Sequence, residues 1–122
     1  MREVLRLCRP LPQAKYLVFT SYQHGLQSYP KGGQEAQQTP FYEVIDMELA
    51  LHPQTILAYE MDGQPLPLEH GAPLRLRVET QLGYKMVKYL RSIELVEDYK
   101  HIGQGRGGFR KDFQYSGRTA EI

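Results

Sequence analysis

LHPQTILAYEMDGQPLPLEHGAPLRLRVETQLGYKMVKYLRSIELVE, residues 51–97, is the stretch whose reading decides the fold. Residues 55–61 have the β-branched and aromatic character of a strand. Asp62-Gly63 supplies the positive backbone dihedrals of a tight reversal, so Leu66 is expected to begin a return strand. After a link containing Pro, Glu and Gly, Leu74, Leu76 and Val78 alternate with Arg75, Arg77 and Glu79. A period of two marks a half-buried strand and places Arg75 and Arg77 on one face. Residues 83–90 are basic and aromatic, and Ile93 and Leu95 resume strand alternation before a polar, Gly-rich tail.

Working outward, residues 16–20 (YLVFT) read as a buried strand and residues 41–45 as another. Between them, residues 22–39 are rich in Gln and Gly with no periodicity, and are expected to form a long surface loop. Asp46 is placed to cap a short helix through Leu51, ended by Pro53. Residues 2–8 put Val4, Leu5 and Cys8 on one helical face, stopped by Pro10 and Pro12. This helix opens without a cap or a preceding loop, which suggests a start inside a longer protein. Several short strands with few helices point to an α+β architecture, with mixed short-strand sheets and small peripheral helices.

The 122 residues suit a single domain or a fragment of one, since a domain typically holds roughly 100 to 150. Fifteen basic residues face fourteen acidic ones, so no global field draws the chain to nucleic acid or an acidic membrane. One cysteine excludes an internal disulfide, and no apolar run reaches the roughly 20 residues of a membrane helix. The start carries no signal-peptide pattern, and the chain as given reads as soluble and cytoplasmic.

Catalytic signatures are sparse. There is no nucleophile elbow, Cys8 lies in a helical stripe and is expected to be a small core residue, and His24, His52, His70 and His101 lack zinc-ligand spacing. Gly103, Gly105 and Gly108 match a dinucleotide fingerprint, but too few residues follow for the strand-helix-strand unit that binds one. Arg106-Gly107-Gly108-Phe109 faintly resembles an RNA-gripping segment. The plainer expectation is a tail whose Phe109, Phe113 and Tyr115 pack back onto the domain. His70, Arg75, Lys85 and Lys88, set around Gly71, Pro73 and Gly83, form the stronger cluster. An anionic phosphate wants fixed cationic donors and glycines that let backbone N–H groups approach. An ordinary solvated face is the competing reading.

Residues 51–97 also closely resemble the sulfite-oxidase family of molybdopterin-binding oxidoreductase domains. Its members carry an HPQTLLAYEMNGEPLP-like hairpin, then HGAPLRL, then a GYKSVKWL-like segment. The similarity extends more loosely from Arg2 through Phe41-Tyr42-Glu43 and Ile45-Asp46 to the Gly-rich tail. The resemblance implies an α+β sulfite-oxidase-type fold, incomplete here, with residues 1–122 forming the carboxyl-terminal part of the domain. It further implies that His70 and Arg75 contact the pterin and that Met86, Val87 and Lys88 grip its phosphate end. Thr20 or Ser21 would add a contact from the end of a strand. Met86 stands where relatives often carry Ser or Gly, and Tyr89 where Trp is frequent. The family's molybdenum-ligating cysteine precedes the segment resembling residues 2–8, so Cys8 does not match it.

These implications assign Mo-molybdopterin to the complete protein and leave open whether this chain holds it alone. The isolated polypeptide is expected to show little turnover. Its expected partner is the missing amino-terminal half of the domain or a second copy in a homodimer, with no nucleic acid and no membrane. A non-catalytic interaction module keeping the fold, and a single-stranded RNA binder using residues 106–109, are the alternatives.

Overall fold

The computed structural model describes residues 1–24, 40–81, 85–109 and 112. In chain order they form α1 (Arg2–Cys8), β1 (Tyr16–His24), β2 (Pro40–Asp46), α2 (Met47–Ala50), β3 (Thr55–Ala58), β4 (Glu60–Met61) and β5 (Gln64–Pro65). A 3-10 turn (Leu68–His70), β6 (Arg75–Val78) and β7 (Leu90–Val96) follow. Short strands with small helices at the margin make this an α+β fold.

β1 is the centre of a three-stranded sheet ordered β2-β1-β7, and both its pairings are antiparallel. Leu17 and Phe19 of β1 and Ile45 of β2 point to one face, where they meet Leu76 and Val78 of β6, Val87, Leu90, Ala50 and Leu5. Val18, Tyr42 and Val44 point to the other face and are covered by Phe109, Tyr99 and Ile102. Burial on both faces explains why β1 and β2 read as continuous apolar runs rather than alternating ones. β6 pairs antiparallel with β3, with Leu57 opposite Leu76 and Ala58 opposite Arg75. Leu76 and Val78 are buried and Arg75 and Arg77 half-buried, as their period of two requires.

Local chemistry sets the joints. Asp46 Oδ1 accepts the Leu49 N–H at 2.7 Å and starts α2. Asp62 and Gly63, at φ 53° and 76°, turn β4 into β5.

Four expectations change. The return strand expected to begin at Leu66 is instead Gln64–Pro65, paired with Glu60–Met61. The strand read over residues 55–61 is two strands parted at Tyr59, whose carbonyl accepts the Leu66 N–H. Residues 22–24, read as loop, continue β1, which pairs His24 with Pro40 after a shift in register; residues 25–39 lie outside the described residues. Cys8 is exposed rather than buried. A helix of two turns at the core's edge buries Leu5 alone, and Cys8 instead borders a shallow pocket with Arg9, Pro10 and Leu95 to Glu97.

Candidate anion site

The site is built where β6 meets the segment leading into β7. Leu76 donates to Val87 O at 2.8 Å and Leu90 donates to Leu74 O at 2.9 Å, a register that sets Arg75 beside Lys88. The chain reaches β6 through the 3-10 turn, which ends at Gly71 with φ 105°. A Cβ at Gly71 would lie 2.9 Å from Lys88 Cβ and 3.3 Å from Arg75 Cβ. Only a residue without a side chain lets both cationic stems close on the backbone here.

Arg75 Nη1 donates to His70 O at 3.1 Å. Its Nε is buried and, among the described residues, has no acceptor. An N–H without an acceptor, shut away from water, is a strong local demand for one. Burial, and then the charge of Arg77, lower the Arg75 pKa from its ordinary value, so an added negative charge would be favourable there. Arg77, on the same face, is already engaged with Glu79 at 2.9 Å. Among the described residues no carboxylate pairs with Arg75 or Lys88.

Lys88 is presented by an unusual bend. Tyr89 has φ 53°, a left-handed conformation that bulky residues rarely adopt. It is held by Tyr89 N donating to Gly71 O at 3.1 Å and Tyr22 N donating to Tyr89 O at 2.8 Å. Ser21 Oγ donates to Lys88 O at 2.8 Å and accepts the Gln23 N–H at 2.9 Å.

The residues expected at the site are distributed unequally. Arg75, Lys88 and the His70 backbone converge, and the His70 side chain is exposed beside them. Met86 is half-buried. Val87 has no accessible surface and its side chain belongs to the core, so it presents no exposed group to a ligand. Ser21 is buried against Lys88 O. Thr20 lies apart, because successive strand residues face opposite ways. It lines a pocket of about 190 Å³ with Val18, Tyr42, Glu94 and Ile102 on the sheet's other face. Gly83 lies outside the described residues.

Lys85 does not belong to the cluster. Its ammonium lies 3.1 Å from Glu43 Oε2 and donates to Val44 O at 2.8 Å and Gly107 O at 3.3 Å, with both charged side chains buried. Alternation in the segment turns Lys85 and Val87 inward, whereas Met86 and Lys88 are only half-buried. Beside this pair, Tyr42 hydrogen-bonds Asp112 and Ile102 O, and Asp112 accepts the N–H groups of Gln104 and Arg106. The residue pattern had offered no sign of this polar network, which fastens residues 99–108 to β2. A Cβ at Gly108 would overlap the Glu43 carboxylate. Gly103, Gly105 and Gly108 thus serve turns and close packing rather than a nucleotide loop. Phe109, which the RNA reading needs exposed, is 1% exposed and packs on Phe41 at 5.4 Å between ring centroids. Phe113 and Tyr115 lie outside the described residues.

The profile of the oxidoreductase molybdopterin binding domain family matches residues 1–102. The chain belongs to that family. The domain is 38% identical over 95 residues to the catalytic subunit of a protein-methionine-sulfoxide reductase from Xanthomonas campestris, covering 78% of this chain and 29% of that protein. Mitochondrial sulfite oxidase from Mus musculus is 39% identical over 102 residues, which cover 79% of this chain and 18% of the oxidase. An NADH nitrate reductase from Phaseolus vulgaris is 35% identical over 99 residues, 80% of this chain and 11% of the reductase. The chain therefore spans less than a third of the length of each of these relatives. The sulfite-oxidase-type resemblance of residues 51–97 is upheld, and molybdopterin is the cofactor of the family to which this oxidoreductase domain belongs.

Proposed function

We propose that Arg75 and Lys88, closing on Gly71, bind the phosphate end of molybdopterin, with the His70 ring and the backbone N–H of Met86 completing the grip. The observation that carries this reading is the buried Arg75 Nε, which has no acceptor among the described residues, on a side chain whose stem packs with that of Lys88 against Gly71. Arg offers a planar fork to an oxyanion and Lys a point charge, so the pair suits a phosphate that needs both direction and neutralisation. Molybdenum carried by the cofactor supplies oxygen-atom and electron transfer in the complete oxidoreductase. This chain's part is to bind and orient. Cys8 lies by Leu95 to Glu97, at the end of β7 far from Leu90 and Lys88. With roughly 3.3 Å of rise per strand residue, it is too distant to share the site.

Titrating the chain with inorganic phosphate while following amide and guanidinium N–H resonances tests the proposal. Gly71, Lys88 and the Arg75 Nε–H should shift together, and Arg75→Gln or Lys88→Gln should each weaken binding about tenfold, the loss of one charge-assisted contact. Shifts spread over the surface, or unchanged affinity in both variants, would overturn it. The exposed Leu7, Leu11, Tyr59 and Leu68 are the surface we expect a further segment of the domain or a second copy to cover. Light scattering showing a stable monomer would count against the second copy. Among the described residues no helix is long and apolar enough to cross a membrane.

A further inference from the structure

We propose that Ser21 is a positioning residue of the anion site: its hydroxyl fixes the Lys88-Tyr89 peptide in the bend that lays Lys88 against Gly71 and beside Arg75. The inference rests on the phosphate reading above and assigns Ser21 a role other than ligand contact. A serine hydroxyl has one proton to give. Ser21 gives it to Lys88 O at 2.8 Å, with Tyr89 O farther at 3.4 Å, and its oxygen accepts the Gln23 N–H at 2.9 Å. The residue is 1% exposed, so no face of it remains for a ligand.

The strand is shaped to make this contact. β1 pairs with β7 in steady register up to Thr20 opposite Ser92, then shifts so that Ser21 stands opposite Leu90. The shift leaves Arg91 as an extra residue in β7, and such bulges re-aim nearby side chains. Ser21 thereby meets the two carbonyls that precede Leu90. Among the described residues the Lys88-Tyr89 turn is held by Tyr89 N to Gly71 O, Tyr22 N to Tyr89 O, and the Ser21 hydroxyl to Lys88 O. The first two are backbone bonds that survive most substitutions, and the third depends on a side chain. Without it, a left-handed tyrosine loses one of its restraints, and the cation just before it loses its fixed direction.

The test is a double-mutant cycle on the full chain with inorganic phosphate as the probe. Ser21→Ala should weaken phosphate binding about fivefold, as the loss of one hydrogen bond's worth of ordering predicts, and should move the Lys88 and Tyr89 amide resonances before any phosphate is added. In the Lys88→Gln background the same change should cost no further affinity, because a residue that acts through Lys88 has nothing left to position. Additive losses would mean that Ser21 touches the anion itself and would overturn the proposal. So would unchanged affinity in Ser21→Ala when Lys88→Gln does weaken binding. Unchanged affinity in Lys88→Gln would instead remove the phosphate reading on which this one stands. Should Ser21→Ala lose the fold, Ser21→Cys keeps the size with a weaker donor, and reduced or unchanged affinity there decides the matter the same way.

Discussion

Lys85→Met should be among the costlier single substitutions in this protein, because it removes the ammonium from beside a fully buried carboxylate. Lys85 Nζ lies 3.1 Å from Glu43 Oε2 and donates to Val44 O and Gly107 O. At 3.1 Å and an effective dielectric of about 20, the attraction is about 5 kcal/mol. Desolvating both ions opposes most of that, so the intact pair contributes little net stability. Removing one side is different, since the buried Glu43 then loses its ammonium partner at a cost of about 3–5 kcal/mol. A small domain has about 5–15 kcal/mol in all. Urea unfolding followed by far-ultraviolet circular dichroism, extrapolated linearly, should therefore show the variant near the edge of folding. Glu43→Gln combined with Lys85→Met should recover about 2 kcal/mol or more of the loss, because the buried negative charge is gone. A single variant within about 1 kcal/mol of the parent, or a double variant no more stable than the single, would refute the assignment of this pair as a buried clasp.

Tyr42 provides a test in alkali. Burial first, and then its hydrogen bond to Asp112 and that carboxylate's charge, raise its pKa well above the ordinary value of 10.0. The folded protein keeps the proton that the unfolded chain loses, so this stability is whole below about pH 10 and declines as pH rises beyond it. Between pH 10 and 11 the parent should lose about 1 kcal/mol more than Tyr42→Phe, measured by urea unfolding at each pH; equal losses would sink the account. Gly71→Ala introduces a Cβ at φ 105° and 2.9 Å from Lys88 Cβ, and should cost about 1–3 kcal/mol while displacing the Lys88 amide resonance. An alanine variant as stable as the parent, with Lys88 unmoved, would show that the close approach is dispensable.

Much of the architecture was readable from residue pattern because local chemistry and burial point the same way along these strands. The alternation of Leu74, Leu76 and Val78 with Arg75 and Arg77, the Asp62-Gly63 reversal and the Asp46 cap are decided within a few residues. They reappear in the structure where expected. What was misread depends on distant partners. Residues 22–24 look like loop because nothing in Tyr-Gln-His announces a strand, yet the ladder to β2 carries β1 through them. The end of α1 has the right periodicity, but only tertiary packing decides that Leu5 reaches the core and Cys8 does not. Asp112 was invisible as the anchor of residues 99–108 because it bonds Tyr42 seventy positions away.

The two lysines of residues 85–88 show where such reading ends and what extends it. By charge they are equivalent, and grouping them with His70 and Arg75 treated the stretch as a single basic face. The structure separates them, because positions 85 and 87 are buried and 86 and 88 only half-buried. Val87 is apolar and belongs inside, and Lys85 is buried on the same side, where a buried ammonium requires an acid. Glu43, flanked by apolar neighbours in a strand buried on both faces, is the acid that meets it. Lys88 is left at the surface with Arg75. The inward lysine anchors the start of the segment and Ser21 fixes its end, so the cation between them and the core is aimed before any anion arrives. Preorganisation of this kind lets a single ammonium and a single guanidinium bind with little ordering left to do.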